Sequence, residues 1–169
     1  MNLWLPVAPD DDDKNNDSSI QVYFDGLCLP VNPGGVPCYA YVVKKGGKIL
    51  KSDYGVAAEP LSKQATNNVA EYTALIKALE WLLENGYGSS KVEVKGDSQL
   101  VVRQMGGQYR VKNRQIIPLF QKAAVLRKKF ADLEISWVPR EQNSEADRLS
   151  ERAYNEAILE NPSLLDRLV

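Results

Sequence analysis

Ile20, Val22 and Phe24 alternate with Gln21, Tyr23 and Asp25, which is the period of a strand with one buried face. The alternation predicts a first strand over residues 20–28, and the run Pro30-Val31-Asn32-Pro33-Gly34-Gly35 then turns the chain. Tyr39, Tyr41 and Val43 repeat the pattern in a second strand over 38–45, and Gly46-Gly47 closes a two-residue hairpin into a third over 48–55. From Thr66 the period lengthens. Ala70, Ala74, Ala78 and Leu82, with Leu75, Leu79 and Leu83, recur at helical spacing until Asn85-Gly86 stops them. Val92 and Val94 form a short strand ending at Gly96-Asp97, followed by a helix over 98–105 that Gly106-Gly107 breaks. A helix over 114–130, a strand over 133–138 stopped by Pro139, and a helix from Asn143-Ser144 to about residue 160 complete the pattern.

The order βββαβααβα implies an α/β fold. Its expected core is a mixed five-stranded sheet, with three antiparallel strands, two parallel ones and helices on both faces. The expected organisation is one domain over 20–160, a disordered acidic tail over 1–19 and a C-terminal tail over 161–169. Leu164, Leu165 and Leu168 in that second tail are candidates to pack back on the sheet or to meet a partner.

At 169 residues and 44% apolar composition the chain suits one core of ordinary size. No apolar run approaches a membrane span, and residues 1–9 lack a basic segment or cleavage signature, so a cytoplasmic monomer without a membrane partner is expected. Asp10-Asp11-Asp12-Asp13-Lys14 spells an enteropeptidase site and is assigned no function. The net charge of -1 is unevenly spread. Beyond residue 19 the chain holds 20 bases against 17 acids, and residues 98–131 carry Arg103, Arg110, Lys112, Arg114, Lys122, Arg127, Lys128 and Lys129 with no acid. That stretch is a candidate polyanion surface, although a solvated helix face has the same composition. Cys28 and Cys38 are the only cysteines and histidine is absent, which excludes a Cys/His zinc set. Two reduced thiols are expected, with a disulfide across the hairpin as the alternative.

Four carboxylates carry the chemistry: Asp25 at the end of an apolar strand, Glu71 opening the long amphipathic helix, Asp97 closing another strand and Asp147 in the first turn of the last helix. Three of them lie at passages between strand and helix, where an α/β sheet presents its site. Asp is rare inside strands and rarely buried alone, so Asp25 asks for a cation, and Gly26 lets the backbone approach something closely.

Phe24-Asp25-Gly26, Thr66-Asn67-Asn68-Val69-Ala70-Glu71, Gly96-Asp97-Ser98-Gln99 and Asn143-Ser144-Glu145-Ala146-Asp147, in that order, closely resemble type I ribonuclease H over about residues 20–157. Asp25-Gly26-Leu27-Cys28 with Asn32-Pro33-Gly34-Gly35, and Trp137-Val138-Pro139-Arg140-Glu141-Gln142-Asn143, are similar to the archaeal-like branch. The resemblance implies an endonuclease that cuts the RNA strand of RNA/DNA hybrids to 5′-phosphate and 3′-hydroxyl ends, with double-stranded RNA as a second candidate substrate. It implies Asp25, Glu71, Asp97 and Asp147 as catalytic ligands of two Mg²⁺ ions, replaceable by Mn²⁺. In that scheme Asp25 bridges both ions, Asp147 sits beside the nucleophile-activating ion, and Glu71 and Asp97 face the other. It further implies Gly26, Asn67, Asn68 and Gln99 as contacts to 2′-hydroxyls, Thr66 as a phosphate contact, Asn32 in the first hairpin, and Arg140 or Glu141 as a partial replacement for a histidine that many members carry and this chain lacks. The basic, Trp-rich handle of the better-known bacterial enzymes is not seen, and Tyr109, Arg110, Lys112 and Arg114 stand in that region.

Three of the acids also have an ordinary structural explanation, and Asp25 has no comfortable one. Asp147 follows Ser144 at capping-box spacing, Glu71 suits a helix N-terminus, Asp97 suits a turn, and Thr66, Asn67 and Asn68 suit an N-cap. Tyr72, Trp81 and Trp137 read as core. The conjunction of four motifs in family order favours the nuclease. Its competitors are a non-cutting nucleic-acid-binding module on the same fold and, more distantly, a transposase-like or exonuclease domain.

Overall fold

The computed structural model describes residues 19–168. The expected disorder of the N-terminal tail falls, except for Ser19, outside the described residues. The alternating segments form β1 (Ile20–Leu29), β2 (Val36–Lys45) and β3 (Lys48–Val56), joined as antiparallel neighbours. Gly46 and Gly47 both take positive φ, 56° and 76°, as the two-residue hairpin requires. The chain then crosses over through α1 (Asn67–Glu84) to β4 (Lys91–Gly96), which lies parallel to β1. After α2 (Gln99–Met105) and α3 (Ile117–Arg127), β5 (Asp132–Trp137) pairs parallel with β4. A 3₁₀ turn over Arg140–Asn143 leads into α4 (Ser144–Glu160). The sheet order is β3-β2-β1-β4-β5, the mixed sheet expected from the pattern.

Register assigns the faces. Ile20, Val22 and Phe24 of β1 share a face with Tyr39, Tyr41 and Val43 of β2 and pack with Leu75, Leu79 and Leu82 of α1 in the main cluster. On the other face Val36 and Cys38 meet Ala153 of α4, and α4 lies across β1, β2 and β3. β2 is therefore buried on both sides, which explains its nearly unbroken apolar run.

Two expectations change, and of the two cysteine readings the free thiols hold over the disulfide. The third helix starts at Ile117 rather than near residue 114, with Pro118 in its first turn where a missing N–H costs nothing. Residues beyond 160 are not a plain tail: Ser163–Leu168 form α5, and Leu164 is buried against the α4-side cluster. The two cysteines do not face each other. Cys28 pairs with Pro37 and Cys38 with Leu27, so their side chains leave opposite faces of the sheet; both are free thiols. Burial raises Cys28 and pushes Cys38 up to about 12, which leaves both protonated and inert. Among the described residues no helix is long and apolar enough to cross a membrane.

Candidate active site

Asp25 is not at the end of its strand. β1 continues to Leu29, but its pairing with β4 stops at Phe24–Gly96. What ends at Asp25 is the neighbour, because β4 leaves the sheet at Asp97, and a crevice opens between the two strands at their carboxyl ends. Glu71 enters from α1, in its second turn. Gly26 makes that approach possible: a Cβ there would lie 2.5 Å from the Ala70 carbonyl carbon and overlap the Glu71 backbone. The close approach expected of Gly26 is thus to α1 itself.

Asp25, Glu71 and Asp97 each offer a carboxylate oxygen within 4.8 Å of the others. Asp25 and Glu71 are buried, and Glu71 Oε2 is a buried acceptor with no hydrogen-bond partner. Burial pushes the Asp25 carboxyl up to about 7; Asp97 adds repulsion, the Ser150 hydroxyl opposes it, and Asp147 adds more. Glu71 is held well above the ordinary carboxylate range by burial, then by Asp25 and Asp97. Asp97 is raised by burial and by Asp147, with Arg140 and Asn143 pulling the other way. Three mutually repelling carboxyls with an orphaned oxygen are the oxygen-rich donor set that a hard divalent cation satisfies.

Asp147 faces the same cleft from α4, outside this three-residue cluster. Its two oxygens lie 3.4 and 3.5 Å from Arg140 Nη2. It caps nothing: the N-cap position of α4 is Asn143, and the Asn143 amide instead donates to the Phe24 carbonyl at 2.8 Å. Asp97 is likewise free of capping, because Ser98 accepts from the Val101 N–H. The cleft, about 570 Å³, is also lined by Gly26, Asn67, Gln99, Arg140, Trp137 and Glu151.

Not every candidate contact lines this cleft. Thr66 is the N-cap of α1 and accepts from the Val69 N–H at 3.1 Å. Asn32 accepts from the Asn67 N–H at 3.1 Å and so holds the α1 terminus, while Asn68 is half-buried and lies outside the lining. Arg110, Lys112 and Arg114 are exposed in the segment between α2 and α3.

Residues 51–153 match a family model described as reverse transcriptase-like. The chain is 35% identical over 140 residues to ribonuclease HI of Halobacterium salinarum, covering 82% of this chain and 65% of that protein. It superposes on the N-terminal RNase H domain of a Mycobacterium tuberculosis protein with a TM-score of 0.74 at 32% identity, covering 85% of this chain and 98% of that one. The chain belongs to the type I ribonuclease H family. LC11-RNase H1, a family member solved in complex with an RNA/DNA hybrid, gives a TM-score of 0.73 at 36% identity over 82% of this chain and 99% of its own. The mycobacterial protein is described as bifunctional, and the chain spans a quarter of its length.

Within this ribonuclease H fold, two features escaped the sequence reading. Ser150, fully buried, places its hydroxyl 2.9 Å from Asp25 Oδ2; its spacing of three from Asp147 was the available signal. Trp137 reads as core but is 46% exposed at the cleft, unlike Tyr72, which is fully buried, and Trp81, which packs against the core. Its place on the last residue of β5, opposite Gly96, is the signal that it belongs to the rim.

Proposed function

We propose that this chain is a divalent-metal-dependent endonuclease that hydrolyses the RNA strand of RNA/DNA hybrids, leaving 5′-phosphate and 3′-hydroxyl ends. The observation that carries the reading is the triad of Asp25, Glu71 and Asp97 oxygens within 4.8 Å, with Glu71 Oε2 buried and unpaired. Asp25, Glu71, Asp97 and Asp147 would hold two Mg²⁺ ions, with Mn²⁺ as a substitute. Such ions supply charge neutralisation and an acidified water when bound.

The protein's own groups do the positioning. Glu71 is fixed by its helix and by the close packing at Gly26, so its free oxygen reaches the crevice at little entropic cost. Ser150 holds one oxygen of Asp25 and leaves the other to the cleft. Arg140, paired with Asp147, brings a positive charge to the side where a phosphate enters, and no histidine is needed to place it. The Gly26 backbone and the Asn67 and Gln99 side chains line the floor where 2′-hydroxyls of a shallow minor groove would lie, which favours recognition by shape. Asn32 and Thr66 hold the N-terminus of α1 that carries Asn67, and Asn68, outside the lining, would reach the substrate only beyond the cleft. LC11-RNase H1, similar over most of this chain, is known with an RNA/DNA hybrid, which supports the same substrate class here. Double-stranded RNA is a secondary substrate in this reading, and the protein works as a cytoplasmic monomer.

The test is cleavage of an end-labelled RNA/DNA hybrid with Mg²⁺, beside single-stranded RNA, double-stranded RNA and duplex DNA, for wild type and Asp97→Asn. Internal cuts in the hybrid's RNA strand, lost with EDTA and in Asp97→Asn, are expected. Hybrid binding without cutting under Mg²⁺ or Mn²⁺ would replace this reading by a non-cutting binding module.

A further inference from the structure

Trp137 is out of place for a core residue. Leu133 and Ile135, four and two positions earlier on the same face of β5, pack against the main cluster, but Trp137 carries that face past the end of the core and joins neither cluster. Leaving a side chain of this size 46% exposed forgoes on the order of 1 kcal/mol of burial, so a compensating use is expected. The ring is also not free to swing. Its Nε1–H donates to the Asp97 carbonyl at 3.1 Å, which pins the indole beside one of the clustered carboxylates. That bond spends the ring's only polar atom and leaves its face apolar and open to the cleft.

Apart from Gly26 and the aliphatic Leu27 and Leu29, the rest of the cleft is charged or polar, and Trp137 is the aromatic residue of its lining. An anion-directed site with one fixed aromatic plane at its edge suits a ligand that joins a phosphate to a flat, weakly polar body. Resting on the hybrid-nuclease reading, we infer that Trp137 is a substrate-contacting residue that packs against the nucleoside unit adjoining the scissile phosphate of the RNA strand. Every base offers a π-face, so this contact adds affinity without sequence preference.

Two variants separate the contact from the hydrogen bond to Asp97. Trp137→Phe keeps an aromatic face and loses the N–H; Trp137→Leu loses both. Hybrid affinity is read by anisotropy of a fluorescein-labelled RNA/DNA hybrid in Ca²⁺, and KM and kcat by cleavage in Mg²⁺. Trp137→Leu should weaken binding and raise KM by about five- to fiftyfold, with a smaller change in kcat, while Trp137→Phe stays within about threefold of wild type. Unchanged affinity and KM in Trp137→Leu overturn the inference. So does an equal loss in both variants confined to kcat, which would make Trp137 a positioning residue for Asp97. Wild type that binds the hybrid without cutting it removes the nuclease reading alone, since the binding arm still tests Trp137; wild type that does not bind the hybrid overturns both.

Discussion

The Ser150 hydroxyl lies 2.9 Å from Asp25 Oδ2 and 2.8 Å from the Asp147 carbonyl. A hydroxyl has one proton, and both neighbours are acceptors when Asp25 is ionised. Ionised Asp25 therefore competes for that proton, and the carbonyl, already within a helix, is the cheaper one to release. Ser150→Ala removes the bond that orients the carboxylate. A hydrogen bond to a charged group contributes about 1.5–3 kcal/mol, partly recovered by repacking, so the Mg²⁺ concentration for half-maximal cleavage should rise roughly three- to tenfold. Unchanged Mg²⁺ dependence in a folded Ser150→Ala would show that Asp25 is oriented by other groups.

Acidic pH should stabilise the metal-free protein. Asp25 titrates near 7 in the fold against an ordinary value of 3.8, and Glu71 is also raised. The fold therefore keeps protons that the unfolded chain releases, and stability falls as pH rises from about 4 through about 7 as Asp25 loses its proton, with Glu71 adding to the fall in the same direction. In EDTA the melting temperature at about pH 8 should lie several degrees below that at about pH 5. Mg²⁺ should raise it most at the higher pH, and Asp25→Asn should flatten the slope. An equal slope in wild type and Asp25→Asn would place the titration elsewhere.

The strand and helix pattern was readable because each period appears in sequence: alternation in Ile20, Val22 and Phe24, helical spacing from Ala70 to Leu82. Asp25 was readable because an Asp inside a strand has no local reason, and Glu71, Asp97 and Asp147 because their motifs follow it in family order. Pair geometry was not. Whether Cys28 and Cys38 share a face depends on a register set by the hairpin, and Asp25 borders a crevice in mid-strand only because β4 stops beside it while β2 carries β1 on to Leu29. Trp137 misled for a related reason: its spacing from Leu133 and Ile135 marks a core face, but the position where that core ends is a tertiary fact.

Gly26 should tolerate no side chain. The missing Cβ faces the backbone of Ala70 and Glu71, which cannot swing aside as a side-chain tip can. Gly26→Ala should destabilise by about 2–3 kcal/mol, a fall in melting temperature of roughly 5–10 °C, and should displace Glu71 from the cluster. Thermal melting checks the first effect and loss of the Mg²⁺-induced stabilisation the second. A wild-type melting temperature would mean that α1 gives way without cost.

Asp147 stands apart from the other three acids, and removing its charge should separate metal capture from cutting. It lies outside the group of Asp25, Glu71 and Asp97, is partly exposed, and faces Arg140 at 3.4 Å. Asp147→Asn removes one repulsive charge from Asp25 and Asp97 while leaving the clustered oxygens in place. The melting-temperature gain on adding Mg²⁺ should therefore survive in Asp147→Asn and be lost in Asp25→Asn. Cleavage should fall at least about a hundredfold in both, the usual scale for losing a group that orders charge at a reacting phosphate. Arg140, freed from its partner, should strengthen hybrid binding modestly in Asp147→Asn, read by anisotropy. Loss of the Mg²⁺-linked gain in Asp147→Asn would place all four carboxylates in one metal-capturing set and remove the asymmetry argued from their positions.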